Sequence, residues 1–277
     1  MSIDEFRITR RALSTHEFLM AGAAAPVDLD SPSFAPTRAF IGFDGDLGVE
    51  PCEVAASAGL MPAGSSITNE VKGRGIVADG NGNIIHEENI YSMYFGGTSG
   101  QAVFDRNLLL ERDMKSLTLE FFMKGTKDQA KAWAYFVRMF GNATAQSPAG
   151  ERLFSIGYSD AAGHIYVVID CNGRALPTFY VSNAGMSLAD SKWHHIAVTF
   201  DPDGAGNTIC KVYVDYKQLG DTHTFAGLLE TGDHYHTCLG MGANYNGFID
   251  EVRISKGVLT VDQMLHVLKY GTVISVR

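Results

Sequence analysis

The sequence is short of charge, and what charge it has is not concentrated. Asp, Glu, Lys and Arg together make up 19% of its 277 residues, and no lysine or arginine cluster stands out. With a formal net charge of −9, it lacks the basic patch that a nucleic-acid partner requires. No apolar run approaches the roughly 18–20 residues of a membrane span. The opening Met1-Ser-Ile-Asp-Glu-Phe6 has neither the basic start nor the apolar core of a signal peptide. Cysteine is scarce, with Cys52, Cys171, Cys210 and Cys238 and no Cys-x-x-Cys pair, which argues against a zinc site. Four cysteines allow three pairings if all are oxidised. Because Cys210 alternates with Val212 and Val214, and Cys171 with Val167 and Ile169, buried thiols are the default expectation. No Gly-x-Ser-x-Gly elbow is present, so a serine-hydrolase triad has no support.

What is present is a substantial apolar fraction, 45%, enough for a globular core. There is also an internal repeat. Ile3-Asp-Glu-Phe-Arg-Ile8 and its sequel align without a gap on Ile249-Asp-Glu-Val-Arg-Ile254 at an offset of 246 residues. Identities fall at Ile3/Ile249, Asp4/Asp250, Glu5/Glu251, Arg7/Arg253, Ile8/Ile254, Leu13/Leu259 and Leu19/Leu265. The repeat predicts that residues 1–20 are the last strand and helix of a preceding domain of the same type. An Ala/Pro/Ser-rich linker follows over 21–36, and a β domain occupies 37–277.

Strand-like alternation begins at Ala39–Phe43, recurs at Ser92–Phe95 and Ala102–Phe104, and becomes clear from Leu117 onward. Leu117, Leu119, Phe121 and Met123 share one face, with Thr118, Glu120 and Lys124 on the other and Phe122 out of pattern. Further strands are predicted over 134–140, 153–158, 165–170, 178–182, 193–201, 208–215, 237–241 and 248–255. Residues 44–90 read as long loops with short strands. Thr260 and Gln263 have capping-box spacing, and predict a short helix near the C-terminus. Many short strands with turn signals between them predict an antiparallel sandwich.

Four segments occur in an order that resembles laminin-G-like domains of the concanavalin A-like group. They are Leu117-Thr-Leu-Glu-Phe-Phe-Met-Lys124, Lys192-Trp-His-His-Ile-Ala-Val-Thr-Phe200, Lys211-Val-Tyr-Val-Asp215 and Gly247-Phe-Ile-Asp-Glu-Val-Arg-Ile-Ser255. The resemblance, over roughly 38–270, implies an all-β jelly-roll sandwich of two antiparallel sheets. It implies a secreted or surface-attached module of a bacterial multi-domain protein, without catalytic activity, that binds a glycan or a surface protein. A structural spacer, contacting mainly neighbouring repeats and holding no small ligand, is the alternative. A divergent glycoside hydrolase is a third reading, but the Glu-x-Asp-x-x-Glu strand of related sandwich glycosidases in the same fold group is missing. The family's Asp-Gly hairpin is also missing: Asp215 is followed by Tyr216, a turn that would expose an aromatic.

Sugar binding calls for aromatic platforms with polar neighbours, and Tyr235, Tyr245, Asn246 and Tyr216 are the preferred candidates because they sit in loop-like segments. Calcium is the one cofactor considered. Asp201, Asp203 and Asn207 crowd one glycine-containing loop and Asp44 and Asp46 another, supplying the oxygens a hard cation prefers. The same residues are ordinary turn formers. Asp250 and Glu251 are adjacent, so plain alternation puts them on opposite faces, while Glu251 and Arg253 would share a face as a structural ion pair or a hydrogen-bonded cluster.

Overall fold

A computed structural model describes residues 37–41, 65–71, 75–81, 84–89, 91–96, 102–104, 114–127, 134–140, 152–160, 163–169, 178–181, 186–229, 236–239 and 245–269. The expected leading remnant and linker lie outside these residues. In chain order the strands are β1 (Thr37–Ile41), β2 (Ser65–Thr68), β3 (Gly75–Asp79), β4 (Ile84–Asn89), β5 (Ser92–Gly96) and β6 (Ala102–Phe104). There follow β7 (Leu117–Gly125), β8 (Ala134–Phe140), β9 (Arg152–Tyr158), β10 (Ile165–Ile169), β11 (Thr178–Tyr180) and β12 (His194–Pro202). The chain continues through β13 (Asn207–Val214), β14 (Lys217–Ala226), β15 (His236–Leu239), β16 (Asn246–Lys256) and β17 (Leu265–Lys269).

These strands form three antiparallel sheets. The largest runs β14-β13-β12-β7-β16-β5-β2, with β1 beside the C-terminal half of β16. The second runs β11-β10-β9-β8-β15-β6, and the third is the small sheet β17-β3-β4. Alternation decides what packs between the first two. Leu117, Leu119, Phe121 and Met123 of β7 and Ile196, Val198 and Phe200 of β12 face inward. They meet Phe136, Ile156, Tyr158, Ile165 and Val167 of the second sheet. All of these side chains are buried to within 1%. Burial on this scale, at about 25 cal/mol per Å² of apolar surface, is the main force holding the sandwich closed.

The third sheet was not legible as such, and it covers part of the large sheet's outer face. Phe122, which broke the alternation, is the contact. It points outward into a second cluster with Val77 of β3, Ile85 of β4 and Leu265 of β17. An aromatic on an otherwise polar face thus marks where another layer docks.

Two expectations need correction. The capping box forms, with Gln263 accepting from the Thr260 N–H at 3.0 Å. Yet the expected C-terminal helix is a single 3-10 turn, Val261–Gln263, followed directly by β17. The reason is tertiary: the Leu265 N–H donates to Glu120 at 2.8 Å, and β17 pairs with β3. Strict alternation also fails in β16, where a bulge inserts one residue between Asp250 and Arg253 opposite β7 and Glu251 adopts φ 50°.

Candidate functional site

The outer face of the large sheet divides into a covered half and an open half. Beneath the third sheet lies a buried polar network. Glu120 accepts from Arg253 through Nε at 2.8 Å and Nη2 at 2.5 Å, and from His195 Nε2 at 2.8 Å. Burial by itself would raise the Glu120 pKa, but Arg253, His195 and the Leu265 N–H reverse this and bring it to about 2. Arg253 also donates to the Gln263 carbonyl, so one guanidinium ties β7 and the 3-10 turn to β16.

The bulge lets both neighbouring acids turn toward the third sheet. Asp250 accepts from Asn89 Nδ2 at 2.9 Å, and Glu251 pairs with His86 Nδ1 at 2.9 Å, both partners being on β4. The anticipated Glu251–Arg253 pair is therefore replaced by Glu251–His86 and Glu120–Arg253. Glu120, Asp250, Glu251, His86 and Arg253 are all 0% exposed. No sugar ring reaches these carboxylates in this arrangement, and Glu120 is ionised across the working pH range of a general acid. They act as fasteners.

Tyr216 belongs to the same half. It and Asp215 form the two-residue turn between β13 and β14, with φ 67° and 47°, a conformation that normally calls for Asn-Gly. The anticipated exposed aromatic is instead stacked between His195 at 4.6 Å and His266 at 4.0 Å. Its hydroxyl donates to the Leu265 carbonyl at 2.9 Å. Asp215 secures the turn by accepting from the His195 N–H at 3.0 Å and pairing with His194 Nδ1 at 2.8 Å.

The open half lies toward the start of β16. Cross-strand register sets Ser66 of β2 opposite Tyr94 of β5, Tyr94 opposite Phe248 of β16, and Phe248 opposite Lys124 of β7. Trp193 follows just before β12. Tyr94, Phe248, Lys124 and Trp193 are half-buried, and so form a shallow aromatic row. Phe248 lies 5.0 Å from Tyr94 and 6.1 Å from Trp193, with the Lys124 ammonium 5.5 Å above its ring. Lys124 also pairs with exposed Glu70 at 2.8 Å. At the upper edge, the side-chain oxygen of Asn246 accepts from Thr126 Oγ1 at 2.9 Å and from the Tyr94 hydroxyl at 3.5 Å.

The other candidates separate in position. Asn246 borders the aromatic row. Tyr245 is 1% exposed, in the main core between Phe95, Phe136 and Tyr158, with its hydroxyl donating to the Phe248 carbonyl. Tyr235, Asp44 and Asp46 lie outside the described residues. In the 201–207 loop, Asp203 accepts from the N–H groups of Ala205 and Asn207 and from Asn207 Nδ2, the donor set of a self-contained turn. Asp201 accepts from Ser116 Oγ at 2.9 Å. Among the described residues no group of three His, Cys, Asp or Glu side chains is placed to hold a metal ion.

Sequence reasoning missed Tyr94, Phe248 and Lys124 as a group because their segments are far apart in the chain. Only the register of β5, β16 and β7 brings them together.

The family model described as the concanavalin A-like lectin/glucanases superfamily matches residues 95–264, more than half of the chain. The chain belongs to this family. No curated protein matches it. Among solved structures, domain 4 of AbnA, a GH43 extracellular arabinanase from Geobacillus stearothermophilus in complex with arabinotriose, is similar with a TM-score of 0.51 and 18% identity. That match covers 82% of this chain and 95% of that one. The binding domain of Paraclostridial Mosquitocidal Protein 1 gives 0.53 and 12%, covering 83% of this chain and 51% of that one. An endo-beta-1,4-glucuronan lyase from the fungus Trichoderma reesei gives 0.50 and 13%, with 81% and 97% covered. At these identities the likeness is one of fold. Among the described residues no helix is long and apolar enough to cross a membrane.

Proposed function

We propose that this chain is a non-catalytic, extracellular glycan-binding module whose ligand lies along Tyr94, Phe248 and Trp193. The observation that carries the reading is the half-exposed aromatic row with Lys124, Asn246 and Thr126 at its margin. A pyranose or furanose ring presents C–H groups to an aromatic face, and its hydroxyls pair with amide, hydroxyl and ammonium groups around it. Asn246 would donate through its amide, its oxygen being engaged by Thr126. Lys124 would serve a hydroxyl or an acidic sugar.

Relatives in fold include both a domain seen with arabinotriose and a polysaccharide lyase, so fold does not choose between binding and catalysis. Burial of Glu120, Asp250 and Glu251 favours binding. The spacer reading retains one specific observation in its favour, the internal repeat.

A glycan array followed by calorimetry separates the two. The folded wild-type chain should bind at least one glycan. Tyr94→Ala and Asn246→Ala should each weaken it by about tenfold, about 1.4 kcal/mol, with melting little changed. A folded chain that binds no glycan would favour the spacer, and binding indifferent to both substitutions would move the site elsewhere.

A further inference from the structure

The repeat acquires a physical meaning once burial is laid over it. Across 249–265 all seven positions identical to 3–19 are buried, the most exposed being Leu259 at 4%. Every exposed position in the same stretch (Lys256, Val258, Thr260, Asp262 and Gln263) differs. The other buried positions keep their apolar or hydroxylic character, though not their size: Val252 to Phe6, Ser255 to Thr9 and Met264 to Phe18. The capping pair survives in chemistry, as Ser14 with Glu17 in place of Thr260 with Gln263. A likeness in strand propensity alone would not sort identities by burial. Still less would it retain a buried Asp-Glu-x-Arg, whose members are costly to bury unless each meets its own partner.

We infer that residues 3–19 are a second closing element, built to take the place of Ile249–Leu265 in another copy of this fold. The required host is specific. It must offer Arg7 a carboxylate in the Glu120 position, and offer Asp4 and Glu5 an amide and an imidazole in the Asn89 and His86 positions. Within this chain those three partners are engaged by Arg253, Asp250 and Glu251. The host is therefore a further domain of this fold in which those positions are not filled by a closing strand of its own, and the contact is one between repeats rather than with a foreign ligand.

The test is a transplant in the full chain. Ten of the seventeen positions in 249–265 differ from the copy. One of these, Gly257, has φ 76°, where the copy's arginine would be strained for reasons local to this turn. The primary variant therefore keeps Gly257 and takes the copy's side chains at the other nine, and a second variant takes all ten. The nine-residue transplant should unfold cooperatively within about 5 °C of wild type. Adding Arg253→Ala to it should lower melting by about 10 °C or more, the same loss expected in the wild-type background. The same nine side chains in shuffled order should abolish cooperative melting. A transplant as unstable as the shuffled one would overturn the inference, as would one indifferent to loss of its arginine. The ten-residue variant then measures only the turn.

Discussion

Within two residues of β16 the outer face changes character. Phe248 is half-exposed, whereas Asp250 is wholly buried. Side-chain polarity would give the opposite order. The difference is made by the third sheet, which covers the acids but leaves Tyr94 and Phe248 half-exposed, while Trp193 packs against its apolar cluster. In the covered half, polar groups are numerous, and Glu120, Asp250 and Glu251 each meet a side-chain partner. In the open half, apolar rings stay near solvent beside polar groups with donors to spare. The first arrangement fastens layers together, and the second is a surface on which something can rest.

The largest test of this contrast is Arg253→Ala. It leaves Glu120 buried with its principal counter-charge gone, a change expected to cost about 3–5 kcal/mol. Denaturant titration should show the loss. A cost below about 1 kcal/mol, the usual worth of a surface pair, would mean that the covered half is not a fastener. Acid reports on the same group. The Glu120 pKa is held down to about 2, below the unfolded value near 4.5. Its contribution is therefore present above about pH 4.5 and lost as pH falls toward 2.

Tyr216→Gly comes next. Glycine relieves the positive φ, worth about 1 kcal/mol, but loses the stack between two histidines and the bond to the Leu265 carbonyl, about 1 kcal/mol, together with the ring's burial. A net destabilisation of about 1–3 kcal/mol is expected. A more stable variant would show that the tyrosine is kept for a ligand rather than for packing.

The fold was legible because alternation survives wherever one face meets the main core. β7, β8, β10, β12 and β13 came out nearly residue for residue, and the family resemblance ordered them. β2, β3 and β4 lay in a glycine-rich stretch without clear period. β14, whose side chains are mostly exposed along a sheet edge, left no apolar signal to read. β17 was disguised by a genuine capping box that a hydrogen bond from Leu265 to Glu120 cuts short. Of the site, Asn246 was visible as a polar residue beside a tyrosine. Tyr94, Lys124 and Phe248 were not, because register is a property of paired strands and no single segment contains it.

On the open half, Tyr94→Ala should cost less than about 1 kcal/mol in stability, in line with substitutions outside a packed core. Its effect should fall on ligand affinity instead. A stability loss matching that of Arg253→Ala would make the aromatic row a second core, and the contrast between the halves would disappear.

The finest version of the contrast lies in two consecutive residues, His195 in the covered network and His194 at its rim. His194 is held between Asp215 at 2.8 Å and Asp190 at 3.2 Å, and Lys192 also pairs with Asp190 at 3.2 Å. Burial tends to lower the His194 pKa, but the two aspartates outweigh it and the net shift is upward from 6.5. A raised folded-state pKa means that the protonated pair stabilises fully below the unfolded value and fades as pH climbs through the folded one. Melting should therefore decline modestly from pH 6 toward pH 8, and His194→Gln should flatten that slope while lowering the acid-side plateau. Because both aspartates touch solvent, added salt should shrink the effect. A slope that survives His194→Gln would assign the titration to another group, and would leave His194 as no more than a hydrogen-bonded strut at the hairpin.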